Sequence, residues 1–93
     1  MKTILLHGPA GCGKTYNATP LKLHYGARVI VDGFYPETNR MTRFRTDNGP
    51  APKELDGALI LTNLPQRVAK KVAKRINADC VAFADAMVEI THA

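Results

Sequence analysis

The chain has 93 residues, of which 45% are hydrophobic and 23% charged, and it carries a formal net charge of +5. This length bounds it to one small domain, residues 1–93, with a core near the lower end of what folds unaided; the apolar content excludes a disordered chain. No apolar run approaches a membrane span, and Met1-Lys2-Thr3 leads straight into a strand pattern without a cleavage region, so neither membrane nor secretory targeting is expected.

Cys12 and Cys80 are the two cysteines, and no C-x-x-C or Cys/His cluster points to zinc or redox work. Their usage fits a cytoplasmic chain. The charge is localised: Arg67, Lys70, Lys71, Lys74 and Arg75 hold five of the thirteen basic residues with no acid among them, while the other eight cancel the eight acids.

In chain order, Thr3–His7 reads as a short strand buried on both faces. Gly8-Pro9-Ala10-Gly11-Cys12-Gly13-Lys14-Thr15 follows at once and matches G-x-x-x-x-G-K-[ST] in full. In such a segment the glycines let the backbone curl and turn its N–H groups inward. The helix that follows adds free N–H groups and a positive dipole end, both favourable to phosphate oxygens. Gly8 to Thr15, with the adjoining Tyr16, are therefore the candidate nucleotide-binding residues. Lys14 is expected to reach the β- and γ-phosphates and the Thr15 hydroxyl to ligate Mg²⁺.

A helix is predicted over Gly13–Tyr25, capped by Gly26 and kinked or divided by Pro20. Arg28–Asp32 reads as a second strand ending in a carboxylate. Gly33–Gly57 contains three prolines and no sustained period, and is expected to be a long, mobile, functional loop. Ala58–Leu61 is a third strand, leading through Thr62, Asn63 and Leu64 to Pro65 at a helix start. Gln66–Asn77 is then amphipathic, with Val68, Ala69, Val72, Ala73 and Ile76 on one face and the basic residues on the other. Cys80–Ala84 is a fourth strand. Asp85–Ile90 is open between a strand extension, a hairpin and a terminal turn.

This order of strand, glycine loop, helix, strand ending in Asp, and strand ending in Thr-Asn resembles the P-loop ATPases of the AAA+ and RecA-like (additional-strand) branch. It is similar in particular to the short stand-alone AAA-type ATPases of phages and other mobile elements. The resemblance implies an α/β, minimal three-layer P-loop NTPase fold: about four mostly parallel strands, one helix on each face and a long loop. It also implies ATP and Mg²⁺ as cofactors. Asp32 would be the carboxylate that holds Mg²⁺ through water, and Asn63 the polar group near the attacking water, with Thr62 a secondary candidate. Lys14, Asp32 and Asn63 are then the candidate catalytic residues. A plain turn role for Asp32 and a helix-capping role for Asn63 stay open beside this.

The chain departs from that pattern in being shorter, with one strand–helix unit missing and no lid. Gly33 follows Asp32 where the family commonly carries a water-orienting Glu; Glu37 is the nearest replacement from the loop. The expected function is a Mg-ATP-binding protein, weakly active as an ATPase or activated by a partner. One alternative is a nucleotide or small-molecule kinase-like phosphotransferase, with Arg40, Arg43 and Arg45 imitating a lid. Another is an ATP-gated nucleic-acid- or protein-binding module without turnover. No N/T-K-x-D guanine-reading motif is present, which leaves adenine the default base.

If the Asp32 and Asn63 strands lie on the same side of the first, the sheet order is last–first–third–second, and right-handed crossovers put the two helices on opposite faces. A helix about 10 Å wide covers about two strands spaced about 4.8 Å apart. The remaining area must be covered by the 33–57 loop or by a partner, so self-association or a protein partner is expected. The Arg67–Arg75 helix is a candidate nucleic-acid backbone contact. Arg40, Arg43, Arg45 and Arg67 are candidates to approach a bound triphosphate.

Overall fold

The computed structural model describes residues 2–92. In chain order the elements are β1 (Ile4–His7), α1 (Ala18–Tyr25), β2 (Val29–Val31), β3 (Tyr35–Pro36), β4 (Phe44–Thr46), β5 (Gly49–Pro50), β6 (Ala58–Thr62), α2 (Gln66–Ile76), β7 (Asp79–Ala82) and α3 (Phe83–His92). Together they make a mixed α/β fold: a four-stranded parallel sheet in the order β2-β6-β1-β7, and a three-stranded antiparallel sheet in the order β3-β4-β5. The parallel order is the predicted one. Central β1 and β6 are buried at every position, which is why they read as unbroken apolar runs rather than as alternating ones.

Alternation across the sheet sorts the core into two layers. Leu5, Val31 and Ile60 face Ala69, Val72 and Ala73 of α2. Ile4, Leu6, Leu59 and Leu61 face Ala18 and Leu21 of α1 and Ala86 of α3. The two predicted helices thus lie on opposite faces. Among the described residues no helix is long and apolar enough to cross a membrane.

Three expectations are corrected. The 33–57 segment is not one long loop: it folds into β3, β4 and β5, and Phe34 and Phe44 stack with ring centroids 5.0 Å apart against the α2-side core. The segment escaped a period-based reading because its strands are two or three residues long and two of them contain proline. Asp85–Ile90 belongs to helix α3, which joins α1 on the same face, so that face carries two helices rather than one. The first helix begins at Ala18 rather than Gly13, with residues 14–17 in turns. Pro20 therefore falls in its first turn, where a backbone N–H would have no helical partner, and neither kinks nor divides it. Of the two expected covers for the remaining sheet area, the 33–57 segment supplies one on the α2 side, and α3 adds cover on the α1 side, while Val29 at the edge of β2 stays exposed.

Candidate functional site

The segment between β1 and α1 is held open by its glycines. Gly11 at φ +79° and Gly13 at φ +102° adopt backbone that L-residues with side chains rarely enter. Cys12 N–H donates to Pro9 O (3.3 Å) and Asn17 N–H to Gly13 O (3.0 Å), whereas the N–H groups of Gly11, Gly13, Lys14, Thr15 and Tyr16 make no backbone hydrogen bond with any described residue. Consecutive unpaired N–H groups on a curled backbone form a concave, partly positive surface suited to an anion.

Lys14 is 6% exposed. Its ammonium donates to Gly8 O (2.7 Å) and Pro9 O (2.9 Å) and lies 3.6 Å from Cys12 Sγ. A buried charge persists only when hydrogen-bonded, and here the loop's own carbonyls satisfy it.

β2 brings Asp32 to the same place. Thr15 Oγ1 donates to Asp32 Oδ2 (2.8 Å), and Gly33 N–H donates to Asp32 Oδ1 (2.8 Å). A cleft of about 330 Å³ opens there, lined by Ala10, Gly11, Gly13, Lys14, Thr15, Tyr16, Asp32, Gly33, Asp47 and Asn63. Asn63 is exposed at the cleft, and α2 begins after it with Pro65 at the N-cap and no side-chain cap, so Asn63 does not cap that helix. Tyr16, 90% exposed, stands at the mouth with its ring free of packing.

Asp47 was missed in the sequence. It lies at the tip of the β4–β5 hairpin, where Thr46-Asp47-Asn48-Gly49 reads as an ordinary turn, and no local signal ties it to Asp32. Gly33 sits at φ +67°, and a Cβ built there would overlap the Asp47 carboxylate, with Asp47 Cγ at 2.7 Å. The space beside Asp32 that a side chain at position 33 would occupy is filled by Asp47.

The oxygen donors of Thr15 and Asp32 are hard ligands in contact with one another, and such a set fits Mg²⁺, which binds one or two carboxylates and completes its shell with water and phosphate. The Thr15 hydroxyl donates its hydrogen bond to Asp32 and so keeps oxygen lone pairs free toward a cation.

Other candidates lie elsewhere. Gly8, Pro9 and Cys12 face away from the cleft, into a hollow with His7, Ala82, Phe83 and Ala84. Thr62 is fully buried and donates to Phe34 O (2.6 Å), a structural tie between the two sheets. Glu37 pairs by its N–H with Arg43 O at the β3–β4 turn and does not line the cleft, nor do Arg40, Arg43, Arg45 and Arg67. Arg40 instead meets Lys71, Lys74 and Arg75 around a separate groove of about 450 Å³, which also includes Asn39 and Met41. His7, buried at the end of β1, is pushed below the usual histidine range, first by burial and then by Lys70 and Lys14, with Asp85 opposing.

No family model, no curated protein and no solved structure matches this chain. The geometry of the cleft must carry the functional reading alone.

Proposed function

We propose that this chain is a P-loop protein that binds the triphosphate of Mg-ATP in the cleft between the Gly8–Tyr16 loop, Asp32 and Asn63, and hydrolyses it slowly unless a partner accelerates it. The observation that carries the reading is the Thr15–Asp32 hydrogen bond, which joins the end of the glycine loop to the end of β2 beside five unpaired N–H groups.

The five N–H groups would cradle the β-phosphate oxygens, and the Lys14 ammonium would exchange the carbonyls of Gly8 and Pro9 for β- and γ-phosphate oxygens. Thr15 and Asp32 would hold Mg²⁺, which neutralises charge on the phosphates when bound. Asn63 would donate to or accept from groups at the terminal phosphate. ATP is preferred because no guanine-reading sequence is present. A kinase-like reading loses support, since none of the three loop arginines lines the cleft.

The test is nucleotide binding and phosphate release with the purified protein, beside Lys14→Ala. Binding of Mg-ATP that falls about tenfold or more in the variant supports the reading, since a charge-assisted hydrogen-bond pair is worth about that much. Equal behaviour of the two proteins overturns it.

A second reading is favoured by one observation: Arg40 completes a cluster with Lys71, Lys74 and Arg75 around a groove that no carboxylate lines. The groove is suited to a nucleic-acid phosphate backbone, which would make nucleotide occupancy of the cleft a regulator of that contact.

A further inference from the structure

We propose that the carboxylate of Asp47 positions the water that attacks the terminal phosphate, an assignment that rests on the Mg-ATP reading above. The groups in the cleft able to take a proton from water are few. Both oxygens of Asp32 already accept hydrogen bonds, from Thr15 Oγ1 and from Gly33 N–H. Asn63 is a neutral amide and a poor base. Asp47 lines the same cleft, and its side chain makes no hydrogen bond or ion pair with any described residue.

A free carboxylate beside a triphosphate site is electrostatically unfavourable on its own, because like charges repel across a few ångströms. The cost is offset when a proton-bearing group lies between them. A water oriented by Asp47 toward the phosphate is such a group. The Asp47 position is also built rather than incidental. The two-residue tip is tied by Asn48 N–H to Thr46 Oγ1 (3.2 Å) and by Thr46 Oγ1 to Gly49 O (3.1 Å). Its sheet is anchored through the Phe34–Phe44 stack, and the glycine at position 33 leaves the space the carboxylate occupies.

In the step so arranged, the water oxygen forms a bond to the γ-phosphorus as the bond from that phosphorus to the β,γ-bridging oxygen breaks. The bridging oxygen keeps the electron pair and leaves with ADP. The water proton passes to the Asp47 carboxylate and from it to solvent, leaving inorganic phosphate in the cleft.

The experiment measures Mg-ATP affinity, kcat and KM for the parent protein and for Asp47→Asn, Asp47→Ala, Asp47→Glu and Lys14→Ala. The expected result is a kcat about 10²-fold lower in Asp47→Asn and Asp47→Ala, with KM and nucleotide affinity within threefold of the parent and partial recovery in Asp47→Glu. A merely structural role would move affinity and thermal stability together with kcat, and would overturn the assignment. So would an Asp47→Asn turnover within twofold of the parent, or a parent protein that binds Mg-ATP through Lys14 and releases no phosphate. In the first two cases the Mg-ATP reading stands whole, and in the third its binding part stands while its hydrolysis part falls. Equal nucleotide binding by the parent and Lys14→Ala overturns that reading, and the Asp47 assignment with it.

Discussion

Thr15 Oγ1 donates a hydrogen bond to Asp32 Oδ2 at 2.8 Å, between residues seventeen positions apart on different elements. The contact fixes the spacing between the glycine loop and the end of β2, and it places a hydroxyl and a carboxylate side by side at the mouth of the cleft. Asp32→Asn keeps the shape but removes the charge that a cation requires. Mg-ATP affinity should fall about tenfold in Asp32→Asn and in Thr15→Val, whereas affinity for ATP measured in EDTA should change less than threefold. Nucleotide titrations at graded Mg²⁺ check this, and equal losses with and without Mg²⁺ would count against a metal role for the pair.

Gly33 is required for two separable reasons, its left-handed backbone and the Asp47 side chain that occupies its side-chain space. Gly33→Ala should cost about 2–4 kcal/mol of unfolding free energy, of which about 1–2 is backbone strain. In the double variant Gly33→Ala/Asp47→Ala the overlap with the carboxylate disappears, and the strain should remain with a tight 3.1 Å contact to the Cβ at position 47. Denaturant titrations of the four proteins in the cycle give the coupling directly. Additive effects would mean that Asp47 does not pack on Gly33 in solution.

The Phe34–Phe44 stack joins the antiparallel sheet to the main core, and Phe34 is 1% exposed. Phe34→Ala should cost about 3–5 kcal/mol, a large share of the roughly 5–15 kcal/mol that stabilises a domain. Phe44 is only partly buried, so Phe44→Ala should cost about 1–2 kcal/mol and leave the protein folded. If the sheet carries Asp47 to the cleft, Phe44→Ala should lower phosphate release several-fold with little change in nucleotide affinity. Kinetics and binding on the same preparation separate the two effects.

Stability should decline on acidification in two stages. Burial, with Lys70 and Lys14 nearby, holds His7 below its ordinary 6.5, so above that pH it is neutral in both folded and unfolded chains and contributes no pH dependence. Below 6.5 the unfolded chain takes up the proton first, and stability is lost until the folded-state pKa is passed. Glu89 is held below its ordinary 4.5 by hydrogen bonds from Tyr25 O–H (2.9 Å) and His24 (3.1 Å), which tie α3 to α1. Its contribution is present above 4.5 and disappears as pH falls through the folded value. Urea titrations from pH 8 to 3 should show both declines, with His7→Gln flattening the first and Glu89→Gln the second.

The groove between Arg40 and α2 should bind single-stranded DNA with steep salt dependence if the second reading holds. Each phosphate neutralised adds about −0.7 to the slope of log K against log salt, so Lys71→Ala/Lys74→Ala should reduce the slope by about 1.4. Filter-binding titrations at several salt concentrations measure it. No retention at low salt would leave the basic face as solvated surface.

Much of the candidate cleft's arrangement was legible because its signals are local. Gly8–Thr15 specifies its own conformation through glycine positions and a fixed place for Lys14 and Thr15, and β2 ends in Asp32 within the reach of a single strand. The apolar runs of β1 and β6 announce central strands, and chain connectivity then leaves few sheet orders; the observed order was among them. Where the helix starts was less legible. The glycine loop makes turns at 14–17 before helical bonding begins at Ala18, and a sequence pattern cannot separate such turns from a first helical turn.

The sequence by itself therefore determined the parallel sheet, the curled glycine loop and the residues at strand ends that approach it, because each follows from periodicity or from backbone restrictions within a few residues. Only the tertiary structure decided where Asp47 and Arg40 lie. Both sit on short strands or turns with no period of their own. Their positions depend on Phe34 and Phe44 packing against Leu5, Ile60 and Val72, contacts between residues far apart in the chain whose outcome is a property of the whole core.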